Sequence, residues 1–212
     1  MRKIKTWLET KSHVVWDWNG TLLADVDHAV DTVNVLLREE RLPQIDKSTY
    51  RKKFGFPVID YYKELGFDTS TANFHRLCER FNDLFHAGLP GLDLWPGARE
   101  VLSEIKAQGK TQSLLSASEH GLLLESLKLF QVGHLFDHVT GIADKKAGSK
   151  LEFGRKLLER SGHRAEDTIL IGDTDHDLEV ANALGVDMIL VDHGHQCELR
   201  LKDLHPHVVK VI

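Results

Sequence analysis

Cysteine is scarce in this chain: Cys78 and Cys197 are the two among 212 residues. So few cannot build a disulfide framework, and the count fits a reducing compartment. Long apolar runs are missing too. None approaches the roughly 20 residues that span a bilayer. The basic start Met1-Arg2-Lys3-Ile4-Lys5 leads into no apolar stretch of the secretory kind. The expectation is a cytoplasmic protein with no membrane partner. A basic excess is also absent: 27 Lys and Arg stand against 32 Asp and Glu, for a net charge of −5. No basic stripe dominates, which argues against nucleic acid as a partner. Internal repeats and low-complexity segments are lacking. What is present is a hydrophobic share of 42%, in a chain long enough to bury a sizeable core. That length suits one large domain, or one domain carrying an insertion.

The stretch His13-Val14-Val15-Trp16-Asp17-Trp18-Asn19-Gly20-Thr21-Leu22-Leu23 organises the rest. Val14 to Trp16 is a short strand-forming run, and Asn19-Gly20 is a strong turn signal. Asp17 therefore sits at the carboxyl end of a buried strand, the edge where open α/β sheets bind ligands. A simpler role for Asp17, as a helix cap, fits the same local pattern.

From Val26 to Leu42 the apolar period becomes helical, and Pro43 ends it. Two short helices are expected over 46–54 and 58–65, and a longer one from Ser70 to Ala87. Residues 26–90 thus read as helical throughout. Beyond Pro96-Gly97 strands and helices alternate. Strands are expected at 111–115, 138–142, 168–171 and 187–191. Helices are expected at 98–108, 122–130, 151–160 and 178–184, with a last apolar run at 208–212. Alternation of this kind means βαβ units and a doubly wound parallel sheet, an α/β fold of the Rossmann type. The domain reading is a core of residues 1–25 and 91–212, with residues 26–90 inserted as an all-α cap.

A second acidic cluster, Asp173-Thr174-Asp175-His176-Asp177, follows the strand Thr168–Ile171. Carboxylates crowded like this repel one another unless a cation neutralises them, and hard oxygen ligands suit Mg²⁺. An EF-hand loop is excluded, because Leu178 and Leu184 stand where its glycine and glutamate belong. Helix capping by solvated aspartates remains the other explanation. Ser116 ends the strand after Gly109, where a hydroxyl and nearby backbone N–H groups can hold a phosphate oxygen. Lys150 opens a helix and can neutralise a phosphoryl group, with Lys145 and Lys146 as competitors.

Taken together and in order, Asp17-x-Asn19-Gly20-Thr21, Ser116, Lys150 and Gly172-Asp173 with Asp177 resemble the haloacid dehalogenase superfamily of phosphohydrolases. The likeness covers almost the whole chain, since the helical insertion matches that family's type I cap. It is nearest to the phosphoglycolate-phosphatase-like and β-phosphoglucomutase-like members. The resemblance implies Asp17 as a nucleophile forming an aspartyl-phosphate. It also implies Mg²⁺ held by the Asp17 carboxylate, the Asn19 backbone carbonyl and Asp173, with Asp177 behind. Thr21, Ser116, Ala117 and Lys150 are the implied substrate-binding residues, and a small phosphorylated metabolite is the implied substrate.

Asn19 departs from the family pattern, which usually places an aspartate there as general acid and base. An amide forms hydrogen bonds but shuttles no proton at neutral pH. Such help is typically worth about 10²–10⁴ in rate. Three accounts stand: a slow phosphatase, an enzyme whose acid comes from elsewhere, or an engineered substitution that traps an intermediate. A weakly catalytic binding protein and a phosphonatase- or dehalogenase-type hydrolase are the rival functions. His120, His176, His193 and His195 are candidates for the missing acid. The basic and aromatic segment Tyr50–Pro57 is a candidate for reaching an anionic substrate or, equally, for packing the cap.

Overall fold

The computed structural model describes residues 7–142 and 150–209; residues 143–149, with Lys145 and Lys146, lie outside them. Six strands form one parallel sheet: β1 His13–Trp16, β2 Thr111–Glu119, β3 His138–Ile142, β4 Thr168–Gly172, β5 Asp187–Val191 and β6 Val208–Val209. Their spatial order is β3-β2-β1-β4-β5-β6. Strands of a parallel sheet are covered on both faces and so read as continuous apolar runs. Val14 and Trp16 enter one layer with Leu114, Ile169 and Ile171. Val15 enters the other with Leu115, Leu170 and Leu190. Helices α5 (Ala98–Ala107) and α6 (His120–Leu129) give Leu102, Leu123 and Leu127 to the first layer. Helices α7 (Lys150–Ser161), α8 (Asp175–Leu184) and α9 (Glu198–Leu204) give Leu157, Val180 and Leu201 to the second.

Register fixes the site. Trp16 lies opposite Ile171, so β1 and β4 finish in step. The Asp17 N–H continues the pairing to the Ile171 carbonyl at 2.9 Å. β1 is the strand at which the order reverses, the switch point where a crevice opens above the strand ends. Asp17 and Asp173 leave the sheet side by side there.

Residues 26–88 hold four helices and no strand: α1 (Val26–Glu39), α2 (Lys47–Lys53), α3 (Val58–Glu64) and α4 (Thr71–Gly88). They share a core of their own that includes Val33, Leu36, Leu37, Tyr50, Tyr61 and Leu77. The chain enters and leaves this lobe at one place. Ala24 N–H donates to the Asp93 carbonyl and Trp95 N–H to the Leu22 carbonyl, each at 2.9 Å, with Leu23 and Leu94 bridged antiparallel between them.

Four elements differ from expectation by three residues or more; α1 stops at Glu39, short of Leu42. β2 runs on to Glu119, with its pairing to β3 interrupted between Leu115 and Glu119. α8 begins at Asp175 instead of 178, because Thr174 and Asp177 form a reciprocal capping box. α9 occupies a stretch with no expected helix. No helix among the described residues is long and apolar enough to cross a membrane.

Candidate active site

Asp17 and Asp173 are buried at the strand ends, with Asp177 buried beside them in the first turn of α8. One carboxylate oxygen from each lies within 4.8 Å of the others. A single ion with Mg–O distances of about 2.1 Å needs carboxylates this close. Lys150, the first residue of α7, brings its ammonium between two of them. Nζ pairs with Asp17 Oδ1 and lies 2.5 Å from Asp177 Oδ1. The structure thus unites Asp17, Asp173, Asp177 and Lys150, residues 133 and 27 positions apart from Lys150 in the case of the two carboxylates it contacts.

Three buried carboxylates against one ammonium leave surplus negative charge. Burial pushes Asp17 above the ordinary carboxylate range, Asp177 and Asp173 add to this, and Lys150 opposes it. Burial also raises Asp173, against His195. Asp177 is the exception. Burial would raise it, but the Lys150 ammonium and the Thr174 hydroxyl and amide hold it low. A divalent cation would relieve the surplus, and the donor set is all oxygen, the chemistry Mg²⁺ prefers.

The Asp173 carboxylate is held on both oxygens. Thr21 Oγ1 donates to Oδ1 at 2.9 Å, and the His195 backbone N–H donates to Oδ2 at 2.6 Å. Thr21, implied as a substrate contact, therefore spends its hydroxyl proton on this carboxylate. Gly20, at φ +75°, and Gly194 lie so near Asp173 that a Cβ on either would collide with it. Glycine is required at Gly20 on both counts. Ser116 is buried at the carboxyl half of β2, and its Oγ accepts from Ser118 N–H at 3.1 Å; Ala117 lies between them, half-buried.

Asn19 is pinned at both ends of its amide. Oδ1 accepts from Ser118 Oγ at 2.8 Å, and Nδ2 donates to Asp25 Oδ2 at 2.7 Å. The other Asp25 oxygen accepts the Gly20 N–H at 2.7 Å. Asp25 is a residue that sequence reasoning missed. It occupies the N-cap position of α1, where an aspartate is unremarkable, yet it makes no cap bond and turns its carboxylate to the 19–20 turn. His195 Nε2 lies 3.4 Å from Asp25 Oδ1, and its Nδ1 is 3.0 Å from the Tyr50 hydroxyl. Burial favours a neutral ring, but the Asp25 carboxylate prevails and pushes the His195 pKa up to about 9.

Of the candidate histidines, His195 lies against Asp25 and Tyr50, and His193 Nε2 lies 3.2 Å from the Thr21 carbonyl. His193 packs on Trp95 with ring centroids 4.6 Å apart. His176 stacks on Phe56 at 4.7 Å. His120 Nδ1 accepts the Gly141 N–H. The segment Tyr50–Pro57 reaches the core through Tyr50 and Arg51, whose guanidinium donates to backbone carbonyls of the loop after β5.

Comparison with known proteins agrees with this geometry. A family model described as haloacid dehalogenase-like hydrolase matches residues 14–191. "Probable phosphatase IndB" of Dickeya dadantii is 28% identical over 206 residues, covering 94% of this chain and 89% of that protein. A phosphoglycolate phosphatase of Aliivibrio fischeri is 24% identical, covering 92% and 90% respectively. A solved haloacid dehalogenase-like family protein from Streptococcus pneumoniae superposes with a TM-score of 0.81 at 19% identity, over 96% of this chain and 95% of that one. With the fold, the Asp17, Asp173, Asp177 and Lys150 cluster and a family model spanning most of its length in agreement, this chain belongs to the haloacid dehalogenase-like hydrolases.

Proposed function

We propose that the protein is a Mg²⁺-dependent phosphatase of a small phosphorylated metabolite, acting through an aspartyl-phosphate on Asp17. The observation that carries this reading is the Asp17, Asp173 and Asp177 cluster, with oxygens within 4.8 Å and Lys150 among them. The substrate class leans to phosphoglycolate-like molecules, because several relatives bear that name. The lobe of residues 26–88 is the cap over the substrate.

Mg²⁺ would be held by Asp17, the Asn19 backbone carbonyl and Asp173, with Asp177 behind, and would neutralise charge on the phosphoryl oxygens. An Asp17 carboxylate oxygen attacks phosphorus, and the bond to the leaving alcohol's oxygen breaks. This covalent route divides one hard displacement into two easier ones. Lys150 exchanges its carboxylate partners for phosphoryl oxygens and stabilises their charge. Ser116 donates to the same group. Water then attacks the phosphoryl phosphorus, releasing inorganic phosphate and restoring the Asp17 carboxylate. Asn19 offers no proton to the leaving alkoxide, so the first half-reaction is slow for alkyl phosphates, and no base to the water, so hydrolysis of the aspartyl-phosphate is slow for every ester.

The test is phosphate release from a panel of phosphate monoesters, with Mg²⁺ and with a chelator. The reading requires chelator-sensitive hydrolysis, with release of the leaving group in the first turnover faster for aryl and acyl than for alkyl esters. A second reading, a weakly catalytic protein that binds phosphometabolites, is favoured by the Asn19 amide being tied to Ser118 and Asp25. Metal-dependent binding of phosphate esters without turnover would select it.

A further inference from the structure

The loop after β5, residues 192–197, is gripped by the cap on one side and touches the cation cluster on the other. On the cap side, Arg51 of α2 donates Nε to the Gly194 carbonyl at 2.8 Å. Its Nη2 donates to the Asp192 and Gln196 carbonyls at 2.5 and 2.9 Å. The Arg51 carbonyl accepts the Cys197 N–H at 3.1 Å. The buried Gln196 side chain donates to the Phe54 carbonyl at 3.1 Å and to Asp175 Oδ1 at 2.7 Å. Arg200 donates to the Phe54 carbonyl at 2.8 Å and pairs with Asp175. On the core side, the same loop presents the His195 N–H to Asp173 and packs Gly194 against that carboxylate.

We infer that Arg51 is a positioning residue for the cation site: by gathering three carbonyls of loop 192–197 it holds the His195 amide on Asp173, so the docked cap completes the ligand geometry. The physical reasoning is that a guanidinium fork fixes direction as well as distance, and three acceptors on one side chain allow the loop a single conformation. Groups that orient a ligand from behind typically alter metal affinity by 10–100-fold. Arg51 acts one residue further back, through the loop, so the lower end applies. Linkage makes the effect reciprocal: Mg²⁺ bound at Asp173 steadies α2 on the core by the same free energy.

This inference rests on the proposed cation site, and the experiment separates the two. Mg²⁺ affinity is measured by calorimetry on wild type, Arg51→Ala, Arg51→Lys and Arg80→Ala, alongside amide hydrogen exchange at residues 192–197 without metal. Arg80 pairs with Glu39 on the exposed cap surface and serves as the control. The expected results are about tenfold weaker Mg²⁺ binding in Arg51→Ala, a partial loss in Arg51→Lys, and no change in Arg80→Ala. Amide protection over 192–197 should fall in Arg51→Ala, and Mg²⁺ should raise protection of α2 in wild type. Wild-type Mg²⁺ affinity in a folded Arg51→Ala overturns the inference and leaves the cation site standing. If Arg51→Ala does not fold, Arg51→Lys decides: unchanged affinity and protection there overturn the inference. No Mg²⁺ binding by wild type overturns the cation site and the inference with it.

Discussion

The two ends of the sheet each bury a polar cluster, and the clusters differ in charge. At the amino ends, His13 of β1 meets Ser113 Oγ at 2.7 Å and Thr168 Oγ1 at 3.1 Å, so each ring nitrogen has a hydroxyl partner. His163 stacks on it at 4.8 Å and contacts Thr111 and Ser12. Burial holds the His13 pKa down to about 4, with His163 and His138 adding to the effect. At the carboxyl ends, His195 is equally enclosed but faces Asp25, and its pKa moves the opposite way. At the amino ends the His13 side chain has a neutral hydroxyl partner on each ring nitrogen. The other end crowds charges that satisfy one another incompletely. Buried neutral networks of the first kind specify structure, whereas surplus charge of the second kind marks a place where something binds or reacts.

Four substitutions would break or sharpen that contrast. The largest effect is expected from Asp17→Asn, which removes the proposed nucleophile. Turnover should fall by on the order of 10⁴–10⁶, while the thermal midpoint holds or rises, since a crowded buried charge is gone. Turnover that survives in scrupulously pure protein would place the nucleophile elsewhere.

Next comes Asn19→Asp, which sets a carboxyl beside Asp25. Two carboxyls so close share a proton, which supplies the missing acid. Alkyl-phosphate turnover should rise by about 10²–10⁴, with aryl phosphates gaining less in the first step. Paired steady-state assays of the two ester types check this. Equal alkyl-ester rates for both proteins would mean that another group already delivers the proton.

The third concerns acid stability. A histidine kept neutral in the fold binds fewer protons than in the unfolded chain. His13 therefore stabilises fully above about pH 6.5 and loses that contribution as pH falls towards 4. Its share is up to about 3 kcal/mol by the usual conversion of a pKa shift. Denaturant midpoints recorded from pH 7 to pH 4 should show the slope in wild type and a flatter one in His13→Asn. His195 has the reverse sign: its contribution is complete below pH 6.5 and declines as pH rises through about 9.

The smallest effect is expected from Thr174→Ala. It removes one half of the α8 capping box and a hydroxyl that donates to Asp177 at 2.7 Å. Loss of such a cap costs about 1 kcal/mol, or about 2–4 °C in Tm for a chain of this size, readable by calorimetry.

Much of this architecture was legible in the residues because parallel strands advertise themselves: Val14 to Trp16, Ile169 to Ile171 and Met188 to Val191 are buried runs bounded by turns or charge. Asp17 and Asp173 were legible because each follows such a run, and Asp177 because it shares the acidic stretch after β4; Lys150, which opens a helix, was legible only through the family resemblance. α9 was hidden because its leucines carry no period. Leu201 is buried, whereas Leu199 and Leu204 are exposed. The early start of α8 was hidden because Asp177 serves the capping box and the carboxylate cluster at once. Asp25 gave no signal of its own, because an aspartate just before a helix is common, and only the folded-back 19–20 turn reveals its partner. Nothing local distinguishes His195 from His193. Two residues apart on one loop, one is enclosed by Tyr50 and Asp25 while the other lies on Trp95.

The paired segments at residues 22–24 and 93–95 carry a consequence for how such chains diversify. The core meets the helical lobe as a loop whose two ends are already joined by backbone hydrogen bonds. The entropy of closing a loop grows only logarithmically with its length, about 0.6 kcal/mol per doubling. A lobe of quite different size, or a short turn, can therefore occupy the same doorway without disturbing the sheet behind it. Chemistry and selectivity are consequently free to evolve at separate rates within a single polypeptide.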